Sequence, residues 1–112
     1  MKGSSPYEIR LTRDAERDLA GIHRYIAVKG STPIADRLLS RLRAKAQSLR
    51  EFPERGPVAP ELAALGMQSY RQLVHPPYRL IYRVAGDHVL VVLIADGRRD
   101  MRTLLAQRLT SA

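Results

Sequence analysis

Along the first fifty residues the apolar positions fall into two different periods. Tyr7, Ile9 and Leu11 alternate with polar residues, the spacing of a strand that buries one face. From Thr12 the spacing lengthens to three and four residues. Ala15, Leu19, Ile22 and Ile26 then make one apolar stripe along a helix. Thr12 can cap this helix, Asp14, Glu16 and Asp18 suit its positive N-terminal end, and Lys29-Gly30 supplies the stop. Ser31-Thr32-Pro33 predicts a second helix, with Thr32 as the cap and Pro33 at the first helical position. Its stripe is Ala35, Leu38, Leu39, Leu42, Ala46 and Leu49, and Phe52-Pro53 ends it. So short a connection predicts an antiparallel helical hairpin.

The second half changes character. Glu54 to Gln68 contains Gly56, Pro57, Pro60 and Gly66 and reads as a connector, pinned to the core by Leu62, Ala63, Leu65 and Met67. Ser69 to His75, Tyr78 to Val84 and His88 to Asp96 read as three strands of an antiparallel meander, with Gly86-Asp87 as a two-residue turn. The run His88 to Ala95 is nearly all aliphatic, as a central strand covered on both faces requires. Thr103 to Leu109 predicts a short terminal helix. The hairpin's one-sided stripe needs a partner, and the sheet alone is large enough to bury it. The predicted class is therefore α+β: an N-terminal strand, a helical hairpin on a small twisted sheet, and a short closing helix.

A chain of 112 residues is the size of one domain, so residues 1–112 are expected to form a single unit with 1–6 flexible. Hydrophobic residues at 45% and charged residues at 27% give a globular balance. The chain has no cysteine, which excludes disulfides and thiolate metal sites. No apolar run approaches the ~18 residues that span a bilayer, and residues 1–6 lack the apolar stretch of a signal peptide. A cytoplasmic protein without membrane attachment is expected. His23, His75 and His88 lack metal-ligand spacing, and neither Gly86 nor Gly97 belongs to a phosphate-binding loop, so no metal or cofactor is expected.

Charge adds the first functional signal. Nineteen Lys and Arg against eleven Asp and Glu leave a net charge of +8, carried mostly by arginine, whose planar fork grips phosphate and carboxylate bidentately. Counting outward from the Gly86-Asp87 turn sets Arg79 opposite Ile94. Arg79, Arg98 and Arg99 are then expected to converge at one end of the sheet. Arg83 shares the face of Arg79, and Arg71 could join from the preceding strand, its register left open by Pro76-Pro77. The plainer alternative is ordinary ion pairing, of Arg79 with Asp96 and of Arg98 or Arg99 with Asp100. A different class is a DNA-binding module reading through Arg37, Arg41, Arg43, Lys45 and Arg50 on the second helix.

Tyr70-Arg71, Tyr78-Arg79-Leu80-Ile81-Tyr82-Arg83-Val84, the aliphatic strand and Gly97-Arg98-Arg99-Asp100 resemble the C-terminal half of the RelE/ParE toxins. Ala15, Asp18-Leu19, Ile22, Tyr25 and Ala35, with Pro53-Glu54-Arg55-Gly56 and Glu61-Leu62, resemble its ParE branch. The resemblance covers nearly the whole chain in order. It implies a toxin held by a cognate antitoxin with an acidic C-terminal segment, in a toxin-antitoxin hetero-oligomer. It also implies one of two activities, because RelE-like members cut mRNA on the ribosome without a metal and ParE-like members inhibit DNA gyrase. For the ribonuclease, Arg71, Arg79 and Arg99 match the phosphate-binding positions. A second basic residue on the second strand is replaced by Gln72-Leu73, and the terminal-helix tyrosine by Leu104-Leu105. These departures favour the ParE-like activity, with target contact expected through Arg98, Arg99, Arg102 and an exposed Met101. Antitoxin or anion contact is expected at Arg71, Arg79, Arg83 and Arg98.

Overall fold

The computed structural model describes residues 6–110, so most of the segment expected to be flexible lies outside the described residues. Strand β1 spans Glu8–Leu11, and helices α1 and α2 span Arg13–Lys29 and Thr32–Gln47. The Oγ1 of Thr12 accepts from the Ala15 amide at 3.0 Å and starts α1; Gly30 ends it. The cap of α2 is Ser31, whose Oγ accepts from the Ile34 amide at 3.3 Å. Thr32, expected as cap, is instead the first helical residue, because the Ser31 backbone is extended and aims its hydroxyl into the first turn. A 3₁₀ turn over Ser48–Arg50 carries Leu49 into the core.

The connector contains one short helix, α3, over Pro60–Ala63. Only Leu62 of the four expected anchors is buried; Leu65 is 67% exposed and Met67 37%. One helical turn cannot aim four side chains to one side, and the bend at Gly66 (φ 81°) turns the chain outward.

Strands β2 (Tyr70–His75), β3 (Tyr78–Ala85) and β4 (His88–Asp96) form the expected meander, and helix α4 spans Met101–Thr110. The sheet order is β1-β4-β3-β2, with β1 parallel to β4. Pro76 and Pro77, joined by a cis peptide bond, make the turn as a tight two-residue hairpin with His75 opposite Tyr78, so Arg71 faces Tyr82 in regular register. The β3–β4 ladder holds a bulge at Val92. Tyr82 pairs with Val91, but Ile81 pairs with Leu93, which sets Arg79 opposite Ala95 rather than Ile94.

The bulge also decides which side chains face which layer. Val89, Val91 and Ile94 join Leu80 and Tyr82 beneath α1 and α2, where Ala15, Leu19, Leu42 and Ala46 meet them. Leu93 and Ala95 join Ile81 on the opposite face, beneath Leu62 of α3 and Met101 and Leu105 of α4. The sheet is thus covered on both faces. Among the described residues no helix is long and apolar enough to cross a membrane.

Candidate functional site

The arginines of the meander are set by strand alternation, and alternation sends them apart. Arg71 lies across from Tyr82, on the hairpin side. Its guanidinium donates to the carbonyls of Gly56 (2.8 Å) and Glu54 (3.3 Å), tying the connector to β2. Close approach there needs a glycine, since a Cβ on Gly56 would lie 2.2 Å from the Gln72 carbonyl oxygen and 2.9 Å from the Tyr82 hydroxyl. The Gly56 amide donates to that hydroxyl at 3.1 Å, and burial pushes the phenol's pKa up.

Arg79 points to the other face. Both of its terminal nitrogens donate to the Glu61 carboxylate at 2.8 Å, a bidentate pair with little solvent access, and its Nε donates to Gln72 Oε1 at 2.8 Å. Glu61 is held below the usual carboxylate range by this hydrogen bonding. The stem of Arg79 runs under Gly97, where an added Cβ would come within 2.7 Å of it. Arg79 therefore pairs with Glu61 and not with Asp96, because α3 folds over the β2–β3 face and brings its only carboxylate there. Glu61 enters the sequence reading through the resemblance alone, and no local spacing links it to Arg79. Arg83, half-buried, shares this face farther along β3.

The remaining candidates stand at the β4–α4 corner. Arg98 is 80% exposed and grips Asp96, its Nη2 2.6 Å from Oδ2 and its Nε 3.0 Å from Oδ1. The side-chain and backbone hydrogen bonds from Arg98 lower the Asp96 pKa to about 2. Asp100, the alternative partner, instead accepts from the Thr103 amide and hydroxyl and starts α4. Arg99 and Arg102 are exposed. Met101, expected at the surface, is 4% exposed, because the first turn of α4 directs it onto the Leu93 face. Arg98 and Arg99, with Arg17 of α1, line a groove between α1 and the end of the meander whose walls include Tyr25 and Tyr78.

The structure thus separates the predicted set. Arg71 and Arg79 sit on opposite faces, each bound to protein acceptors, while Arg98 and Arg99 line the groove beside α1 and Arg102, exposed in the first turn of α4, lends its charge to Glu61. His23, bound to Asp36 at 2.7 Å, is on the outer side of the helical hairpin, and His88 is at the Gly86-Asp87 turn.

Comparison with known proteins agrees with this architecture. The family model of the ParE toxin of type II toxin-antitoxin systems, parDE, matches residues 9–101. Toxin ParE3 of Caulobacter vibrioides is 25% identical over 97 residues, covering 87% of this chain and 93% of the relative. Among solved structures, the chromosomal ParDE system from P. aeruginosa superposes with a TM-score of 0.69 at 20% identity, over 80% of this chain and 95% of that one. The toxin-antitoxin complex RelBE2 from Mycobacterium tuberculosis gives 0.58 at 24% identity, over 82% and 92% of the two chains. A mutant E. coli toxin RelE in the free state gives 0.63 at 18% identity, over 94% and 98%. These structural likenesses establish the shared fold, and the family model covering most of the sequence establishes more: the chain belongs to the ParE toxin family of type II toxin-antitoxin systems.

Proposed function

We infer that this chain is a cytoplasmic, single-domain toxin that is held by an acidic antitoxin and, once released, inhibits DNA gyrase through the β4–α4 corner. One observation carries the reading. Of the three cations that an mRNA-cleaving site would need, Arg79 is locked by Glu61 and Gln72, and Arg71 by two backbone carbonyls. A phosphate entering there would have to displace partners already in place, at a cost of about 1–3 kcal/mol for each buried group left unsatisfied. Of the three, Arg99 alone makes no side-chain hydrogen bond among the described residues, and one cation is a poor clamp for a phosphoryl transition state.

The corner suits a macromolecular target. Arg98, Arg99 and Arg102 project from a rigid support, since Met101 and Leu105 anchor the helix beneath them. Exposed arginine forks steer encounter with acidic surface and fix register. The groove beside them, with Tyr25 and Tyr78, fits an amphipathic acidic antitoxin segment, and two of the solved relatives are named as toxin-antitoxin assemblies.

The test is gyrase supercoiling with purified toxin. Wild-type chain is expected to inhibit, and the triple replacement of Arg98, Arg99 and Arg102 by alanine to abolish inhibition. Wild-type toxin that leaves gyrase untouched at saturation removes the target, and a triple variant that still inhibits removes the site. Ribosome-programmed mRNA is expected to stay intact; efficient cleavage would reinstate the ribonuclease activity.

A further inference from the structure

Helices α1 and α2 differ in how they treat their own charges. In α1, Asp14 and Glu16 stand in the first turn and Lys29 in the last, as the helix dipole favours. In α2 the first turn has no acid, and Arg37 follows shortly after it. Arg37, Arg41 and Lys45 then succeed one another at four-residue spacing, so like charges stack along one ridge. Each such pair opposes the helix by about 0.2–0.5 kcal/mol. Among the described residues no carboxylate forms an ion pair with Arg37, Arg41 or Lys45: Glu16 is taken by Arg43 at 3.0 Å and Asp36 by His23 at 2.7 Å, both between the helices. Arg37 and Arg41 are exposed and Lys45 is half-buried.

We propose that this ridge on α2 is a docking surface for the phosphate backbone of duplex DNA. Ser40 and Ala44 separate the cations, and these small side chains let a backbone approach. Among the described residues the ridge itself presents no large apolar anchor of the kind a protein partner requires at its centre: Val28 and Ile34 are exposed at the hairpin tip, with Ile34 leaning back over Gly30, and Phe52 lies past the end of α2. Contacts made only by cations and small polar groups read phosphate and sugar. The contact does not depend on gyrase and is measured without it.

The experiment is fluorescence anisotropy of a labelled duplex of about 20 base pairs with the purified chain, over a range of salt. The variant R37A/R41A/K45A is expected to lose at least about ten-fold in affinity near 0.1 M salt, and its salt slope to fall by about two to three. A glutamine version, R37Q/R41Q/K45Q, keeps helix-favouring side chains and is expected to do the same. The variant R98A/R99A/R102A carries the same change in charge and is expected to lose less than about three-fold, which separates the ridge from net charge. Equal losses in the two triples, or a ridge triple that binds like wild type, overturn the proposal. Polyglutamate competing as well as duplex at equal charge overturns it in favour of an acidic protein, and tighter binding to single-stranded RNA overturns it in favour of RNA.

Discussion

Asp18 of α1 and Arg108 of α4 are joined by two hydrogen bonds of 2.8 and 2.9 Å across ninety residues of sequence. The pair sits on the margin of β4 beyond the reach of β1, which pairs only as far as Val91. Past that point β4 would leave backbone groups open, and these two side chains fill them. Asp18 accepts from the Ile94 amide at 2.9 Å, and Arg108 donates to the Val92 carbonyl at 2.7 Å. A salt bridge here therefore takes the place of a longer β1.

Arg108→Ala is expected to destabilise the fold by about 2–3 kcal/mol, because it strands the Asp18 carboxylate in a site with little solvent. Asp18→Ala is expected to cost a similar amount. The double variant should lose less than the sum, by about 1–2 kcal/mol, in a denaturant-unfolding cycle. Strict additivity would show that the two act independently.

Glu61 should write an acid limb into the stability profile. Its pKa is lowered in the fold by Arg79, so the folded state holds the ionised form more firmly than the unfolded chain does. That stabilisation is present above the unfolded carboxylate value and disappears as pH falls through the lowered folded value. Wild type is expected to exceed Glu61→Gln by about 1 kcal/mol near neutral pH, and the gap should close on acidification. Thermal melts of both proteins across that range would show it, and a gap that does not narrow on acidification would contradict it.

At the β4–α4 corner, burial and exposure predict opposite outcomes for neighbours in sequence. Met101→Ala is expected to cost about 2–4 kcal/mol, since it empties a packed site under α4. Replacing Arg98, Arg99 and Arg102 together should leave the unfolding midpoint essentially unchanged. Loss of Arg98 should also let the Asp96 carboxyl rise from about 2 toward the usual aspartate range, which a carboxyl-detected NMR titration would follow.

Gly56→Ala is expected to destabilise by about 2–4 kcal/mol, since the new methyl meets the Gln72 carbonyl and the Tyr82 hydroxyl and the backbone must shift to relieve it. Gly21→Ala, which meets nothing, should be neutral or slightly stabilising. Parallel unfolding curves would separate the two. Equal behaviour would mean that the connector is not pressed against β2.

The elements were legible because their signals are local. The period of two at Tyr7, Ile9 and Leu11, the stripes from Ala15 to Leu49, the Gly86-Asp87 turn and the aliphatic run of β4 each depend on neighbours a few residues away. The ordered motifs carried the family for the same reason. The packing of the hairpin on the sheet was legible too, but not which charged groups that packing brings together. A single extra residue at Val92 moved Arg79 from Ile94 to Ala95, although strand alternation gives no warning of a bulge. The partner of Arg79 arrived from α3, eighteen residues away, and that of Arg108 from α1, ninety residues away. Met101 turned inward because α4 starts one residue after Asp100, with its first turn over Leu93. Periodicity sets which face of an element is apolar. Only tertiary packing sets which charges that face brings together, because an ion pair is decided by distance in space and carries no period along the chain.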